Sequence, residues 1–307
     1  MEKKENRPLI VVVGSSNTDM VIKVDYLPRP GETIIGHDFM TNQGGKGANQ
    51  AVAVSRLGGH VAFVARVGDD SFGHQAIGMM QQEGIDTTFV LPTKDAATGV
   101  ALIPVDSKGE NSIIVASGAN ALLSEHDIEA ARPLIAKADI VLMQLETPVG
   151  TLVKAARIAY EAGAKVVLNP APFPKEPLPD ELLRCLTLIT PNETEASMMS
   201  GLQVTDEETA LQAIRCIQAK GVRNVIITAG AKGAYTADGN GLVCIPPTRV
   251  EAVDTTAAGD TFCGALCVAL SEGQALGEAI CFANKAAALS VTRMGAWRSI
   301  PYRKELT

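Results

Sequence analysis

"DIVLMQLETPVGTLVKAARIAYEAGAKVVLNPA", residues 139–171, holds the pattern on which the fold turns. Residues 139–146 form a near-continuous apolar run of strand length. Residues 148–162 carry a helical spacing that stops at Gly163, and residues 165–171 are again short and apolar. A strand apolar at successive positions is buried on both faces, as in a parallel sheet covered by helices. The pattern continues outward. "LTLITPN" (186–192) reads as a strand, Thr205 to Lys220 as a helix closed by Gly221, and "NVIITAG" (224–230) as a further strand. This alternation of strands and helices implies an α/β fold.

Two stretches break the rhythm. Residues 19–40 contain the alternating "MVIKVDY" followed by "LPRPGETIIGHDF", and residues 98–117 place two alternating runs around a "DSKGE" turn. These are antiparallel hairpin signals. We expect two inserts, roughly 19–42 and 96–118, to form a small antiparallel lid over a cleft within one domain spanning 1–307. The competing reading is an antiparallel extension of the main sheet. A lid with an open sheet edge invites pairing with a second copy, hence a homodimer.

Bulk composition narrows the function. With 46% apolar and 20% charged residues the chain can build a large core. A net charge of -7 argues against an unspecific grip on nucleic acid or an anionic membrane, both of which need a cationic face. The six cysteines form no C-x-x-C pair and sit in apolar segments, so buried free thiols in a reducing compartment are expected. The four histidines are scattered and offer no zinc site. The apolar stretch of "MEKKENRPLIVVVG" is too brief for a secretion signal, and no run reaches the ~18 apolar residues of a membrane span. A soluble cytoplasmic protein is expected.

Five segments can carry chemistry. In "VDTTAAGDTFCGAL" (253–266), a strand-like "RVEAVDT" leads into a helix whose start is lined by Ala257, Ala258 and Gly259. Bare N–H groups and partial positive charge make such a helix start an anion site. Asp260 beside it is either a general base for a substrate hydroxyl or an acid that complements the dipole. "NQGGKGANQAVAVSRLGG" (42–59) resembles a phosphate loop but fails G-x-x-x-x-G-K-[ST]; it either wraps a polar ligand or caps a helix. In "VVVGSSNTD" (11–19), Asn17 and Asp19 point the same way on an extended chain and suit vicinal hydroxyls, unless they serve an Asx turn. In "TPNETEASMMSG" (190–201), Asn192 and Glu195 are spaced to serve a metal's water shell or a phosphate, or equally a capping box. "ITAGAKGA" (227–234) is a strand with a Gly-x-x-Gly turn, common in α/β proteins.

Together, "GGKGANQAV", "NPAP", "PNETEA" and "DTTAAGDTFCGAL", in this order from Val11 to Tyr302, resemble the ribokinase, or PfkB-type, family of carbohydrate kinases. The resemblance implies a three-layer ribokinase-like fold with a mostly parallel central sheet and a β lid. It implies ATP-dependent phosphorylation of a pentose, D-ribose at its 5-hydroxyl being the expected substrate. Asp260 would be the base, with Ala257, Ala258 and Gly259 as the anion hole. The sugar would meet Asn17, Asp19, Gly45, Lys46, Asn49 and Glu146. The nucleotide would meet Asn192, Thr228, Gly230, Gly233, Gly259 and Asn284, with Glu195 acting on Mg²⁺ through water. A monovalent cation, K⁺, would use Asp254, Thr256, Ser290, Arg293, Gly295 and Ser299. Pairing through the lid is also implied. "GAWRSIP" (295–301) departs from the family pattern, since Trp297 and Arg298 are bulkier than the usual residues. The alternatives are a related kinase for deoxyribose, another sugar or a nucleoside, and a non-catalytic sugar- or nucleotide-binding regulator. A nicotinamide dehydrogenase lacks its glycine fingerprint.

Overall fold

The computed structural model describes residues 7–306. A seven-stranded sheet runs in the spatial order Asn224–Val225, Leu188–Ile189, Lys165–Leu168, Ile140–Met143, Leu9–Val13, His60–Gly68 and Asp86–Thr93. Every pairing in it is parallel. The 139–171 stretch forms the expected unit: strand Ile140–Met143, helix Val149–Glu161 and strand Lys165–Leu168.

Alternate residues of one strand feed two separate cores. Ile10, Val12, Phe63 and Leu142 pack on one face, and Val11, Val13, Val64 and Met143 on the other. All are at most 1% exposed, which is why these strands read as unbroken apolar runs rather than alternating ones. Helices Lys46–Arg56, Ala258–Ser271 and Leu276–Ser290 cover the first face. Helices Val149–Glu161, Glu193–Ser200 and Glu207–Ala219 cover the second.

A separate four-stranded sheet is the lid. Its spatial order is Phe39–Gly44, Asn17–Lys23, Gly99–Val105 and Ile114–Ala116. The hairpin pairing within each insert is antiparallel. The junction between the inserts is parallel, with Asn17 opposite Gly99 and Lys23 opposite Val105. The lid is thus mixed, because both inserts leave the core in the same direction. It is not an extension of the main sheet.

Three local expectations are corrected. "RVEAVDT" is not a strand; residues 249–255 are irregular. "NVIITAG" is split: Asn224–Val225 belongs to the main sheet, and Ile227–Thr228 starts a small antiparallel sheet with Ala234–Asp238 and Gly241–Ile245. The cysteines are all free, yet only Cys263 and Cys267 are buried, while Cys244 and Cys281 are exposed. No helix among the described residues is long and apolar enough to cross a membrane.

The central strand carries a direct test. Leu142 is fully buried between the sheet and its helices. Leu142→Ala should cost about 2–5 kcal/mol, the usual effect of emptying such a site, read by urea denaturation.

Candidate active site

Two helix starts converge on Asp260. Helix Ala258–Ser271 places it in its first turn, 6% exposed. Helix Lys46–Arg56 brings two amides to it: Asn49 Nδ2 donates to Oδ2 at 2.8 Å and Gln50 Nε2 to Oδ1 at 2.9 Å. Both carboxylate oxygens therefore accept from buried amide donors. The Asn49 side-chain oxygen is buried and has no partner of its own among the described residues.

The glycines before that helix have a steric reason. Gly45 has φ +87°, and a Cβ there would lie 2.8 Å from the Asn17 backbone nitrogen. A Cβ at Gly47 would lie 2.6 Å from the Ser15 nitrogen. The loop thus runs against the backbone of residues 14–17, where only glycine fits. Lys46 N–H donates to Glu146 Oε2 at 3.0 Å, and Ser15 Oγ donates to the same oxygen. Burial pulls the Lys46 amine down. The carboxylates of Asp260, Glu146 and Glu195, with the Cys263 sulfur, more than offset this and hold it above its ordinary range. It is a half-buried cation among acids.

The anion hole is only partly open. Ala257 is left-handed at φ 59°, an unusual conformation for a residue with a Cβ. Among the described residues, no protein group accepts from the N–H of Ala257, Gly259 or Asp260. The Ala258 N–H instead donates to the Thr255 carbonyl at 3.2 Å. The expectation that Ala258 is also bare is therefore corrected: the turn preceding the helix uses it.

Two cavities flank this centre. One, of about 680 Å³, is lined by Thr228, Gly230, Gly233, Ala258, Gly259 and Asn284, with Phe262, Ala287 and Val291 among its apolar walls. Asn284 Nδ2 is held by the Pro246 carbonyl at 3.1 Å. The other, of about 370 Å³, lies beneath the lid and is lined by Asn17, Asn120, Glu146 and Pro172, with Val115 of the lid at its edge. Asn17 Oδ1 accepts from Asn120 Nδ2 at 2.7 Å, and Asn120 Oδ1 accepts from Ser16 N–H at 2.9 Å. This leaves the Asn17 amide nitrogen to face a ligand.

Asn192 and Glu195 form a capping box. Asn192 Oδ1 accepts from Glu195 N–H at 2.8 Å, and Glu195 Oε2 from Asn192 N–H at 2.9 Å. Asn192 does not line the larger cavity; its backbone bridges Thr228, which does. Burial raises the Glu195 carboxyl, with the Asn192 N–H and Lys46 opposing and Asp260 adding to the rise. Its Oε1 has no partner among the described residues, so one oxygen is left for a hydrated ion. No group of three or more acidic, histidine or cysteine side chains is arranged to hold a metal among those residues. A divalent ion would need ligand phosphates and water to complete its shell.

The 254–299 segment is tied together by Asp254. Its Oδ1 accepts from Thr256 N–H at 2.9 Å and Oγ at 2.6 Å, and its Oδ2 from Gly295 N–H at 2.8 Å. Burial alone would raise this carboxyl, but those donors hold it below its ordinary range. No basic side chain pairs with it among the described residues. An ionised, half-buried acid with no protein cation fits a hard monovalent ion. The hydroxyls of Ser290 and Ser299 donate to carbonyls in their own helices, so those residues have carbonyls rather than hydroxyls to offer. The Ser290 carbonyl in turn accepts from Arg293 N–H at 3.1 Å. The Arg293 guanidinium pairs with Glu305 at 2.6 Å. Trp297 is packed into the core, and Arg298 points outward. The departure in "GAWRSIP" is thus absorbed by packing. Arg56 Nη1 anchors this loop through the carbonyls of Trp297 and Ile300.

Spacing rules missed Gln50, Gln144, Asn169 and Asn120. Gln50 was in the quoted loop and Asn169 in "NPAP", but nothing in their spacing points to a partner more than 100 residues away.

Asp19 carries a measurable cost. Burial, then Glu146, then Asp260 push its carboxyl from 3.8 up to about 7. The folded state therefore holds a proton that the unfolded chain has already lost between pH 4 and 7, and stability falls as pH rises through that window. Asp19→Asn should raise Tm at pH 8 and flatten the decline of Tm between pH 4 and 7, measured by calorimetry of the ligand-free protein.

The model of the "pfkB family carbohydrate kinase" matches residues 7–303. A ribokinase of Haemophilus influenzae is 48% identical over 299 residues, covering 97% of each chain. A deoxyribokinase of Salmonella typhi is 36% identical, covering 95% of each. The solved structure of Arabidopsis thaliana ribokinase with ribose and ATP superposes with a TM-score of 0.88 at 35% identity, covering 98% of this chain and 97% of that one. With a matched family model over nearly its whole described length and a site of this geometry, the chain belongs to the PfkB family of carbohydrate kinases.

Proposed function

We propose that the protein transfers the terminal phosphoryl group of ATP to O5 of D-ribose. The observation that carries this reading is the placement of Asp260. It is buried and held by Asn49 and Gln50, in the first turn of a helix whose Gly259 lines the larger cavity. An acid so placed can orient a sugar hydroxyl on one side while the helix start faces a phosphate on the other. Support for ribose comes from the 48% identical Haemophilus ribokinase and the fold shared with the ribose- and ATP-bound Arabidopsis enzyme. The 36% identical deoxyribokinase keeps deoxyribose as the second reading.

In this reading the sugar lies under the lid, against Asn17, Asp19, Gly45, Lys46, Asn49 and Glu146. ATP fills the larger cavity along Thr228, Gly230, Gly233 and Asn284, with Asn192 beside it. The O5–phosphorus bond forms as the bridging oxygen–phosphorus bond to ADP breaks, and the O5 proton passes to Asp260. The transition state is loose, so positioning and charge stabilisation dominate. The free N–H groups of Ala257 and Gly259, with the Lys46 amine, offset charge on the transferring group. The lid keeps water from competing with the sugar. Glu195 would hold a water of Mg²⁺, which would supply charge neutralisation to the phosphates. Asp254 and the carbonyls of the 290–299 loop would hold K⁺, which would supply further positive charge.

The lid also supports a homodimer. Phe39, Leu102 and Ile114 on its strands are exposed, an apolar surface that a second copy can cover. A single catalytic domain with its lid, working in the cytoplasm, fits this chemistry.

Asp260→Asn should lower turnover by roughly 10²–10⁴, the usual worth of a general base, with nucleotide binding retained by calorimetry. Near-normal turnover would remove Asp260 from the role. Steady-state rates on ribose, deoxyribose and fructose, with and without K⁺, should place ribose first and show a higher rate with K⁺. A higher kcat/KM for deoxyribose would move the assignment to the second reading.

A further inference from the structure

We propose that Gln50 is a positioning residue for the base, and that Gln144 acts through it. Gln50 and Gln144 are completely buried. The Gln50 amide nitrogen donates to Asp260 Oδ1 at 2.9 Å and to Asn169 Oδ1 at 3.1 Å. Its oxygen accepts from Gln144 Nε2 at 2.6 Å. Both donors of this amide and its oxygen are engaged inside the protein.

The orientation of the amide follows from the chemistry of its neighbours. An ionised carboxylate can only accept. Asn169 gives its own nitrogen to the Thr190 carbonyl at 3.1 Å, so its oxygen faces Gln50. Two acceptors therefore converge on one end of the Gln50 amide, which must be the NH₂ end. The opposite end must find a donor, and Gln144 supplies it. Turning the Gln50 amide over would set an oxygen against a carboxylate and lose all three bonds.

Gln144 is held in place by a close approach. A Cβ on Gly14 would lie 2.0 Å from Gln144 Oε1 and 2.9 Å from Gly47 Cα. The missing side chain at Gly14 is the space that Gln144 fills. Gly14 directly follows strand Leu9–Val13, and Gln144 directly follows its neighbour, the central strand Ile140–Met143. The relay thus ties the ends of two adjacent strands in the middle of the sheet to the reacting carboxylate. Gln50, Gln144 and Asn49 all lie behind the cavity walls, but the Gln50 oxygen is taken by Gln144 and its donors by Asp260 and Asn169, so Gln50 has no polar group left for a ligand. Asn49 holds the other oxygen and is the member of the pair with a free buried oxygen to spend on the sugar. Division of labour results: Asn49 links base to sugar, and Gln50 fixes the carboxylate plane.

The proposal rests on Asp260 as the base, and its test separates the two. Gln50→Met keeps the side-chain volume and removes both donors. It should lower kcat roughly 10- to 100-fold, the range expected when a reacting group is mis-set by a fraction of an ångström to one ångström. The dissociation constants for ribose and for ATP, read by calorimetry, should stay within about threefold, since Gln50 meets neither ligand. Gln144→Met should lower kcat less, and the double variant should be no slower than Gln50→Met alone, because one residue acts through the other. A kcat for Gln50→Met within about threefold of the parent, or losses that multiply in the double variant, would overturn the proposal. Should Gln50→Met fail to fold, an unchanged kcat in Gln144→Met would do the same. If Asp260→Asn is inactive while Gln50→Met is normal, only the positioning role is lost; if Asp260→Asn is active, the assignment of the base itself falls.

Discussion

The carboxylate of Asp260 and the two amides that hold it are the constraint around which the molecule is organised. The bonds to Asn49 and Gln50 join residues 211 and 210 positions apart. They form only if helices Lys46–Arg56 and Ala258–Ser271 lie side by side with their starts level. Gly264 makes this possible: a Cβ there would lie 2.6 Å from the Ala53 Cβ and 3.0 Å from the Gln50 carbonyl oxygen. With no side chain at that position the two backbones approach closely. The parallel sheet beneath supplies the common level, because its strand ends all emerge on one side.

Charge is managed by unequal treatment of the acids. Asp260 receives two amide donors, Glu146 receives a backbone N–H and a hydroxyl, and among the described residues none donates to the Asp19 carboxylate. Asp19 is accordingly the acid that burial pushes up. Lys46 is the cation they share. Crowding acids in this way costs folding stability, as the raised Asp19 carboxyl records. A further acid away from this cluster, Asp254, follows the opposite course, since three donors hold it below its ordinary range.

The alternation of strands and helices was legible because each signal is local. A buried strand is apolar along its own length, and a helix ends at its own glycine, as at Gly163 and Gly221. The hairpins of the lid were legible for the same reason. Their parallel junction was not, since nothing in residues 17–23 states which strand 82 positions away will lie beside them. Motif spacing pointed to Asp260, Lys46 and Asn49, and the structure brings them together. It could not distinguish the capping role of Asn192 and Glu195 from a ligand role, and the structure realises the cap. Nor could it reveal that the Ala258 N–H is spent on Thr255, because turn geometry depends on the left-handed Ala257. The glutamine relay escaped because neutral amides carry no spacing signature.

The parallel junction of the lid has a consequence for how the cover behaves. Its two hairpins are stitched together where Asn17–Lys23 meets Gly99–Val105, and the seam runs on through Val24 N–H to the Val105 carbonyl and Ser107 Oγ to the Asp25 carbonyl. Closing that seam fixes a long intervening loop, an entropic cost that local hairpins avoid. The seam pairs seven residues on each side, against six in the first hairpin and three in the second, so once formed it is the spine of the cover. The short outer strand Ile114–Ala116, paired along one edge only, is its least secured part.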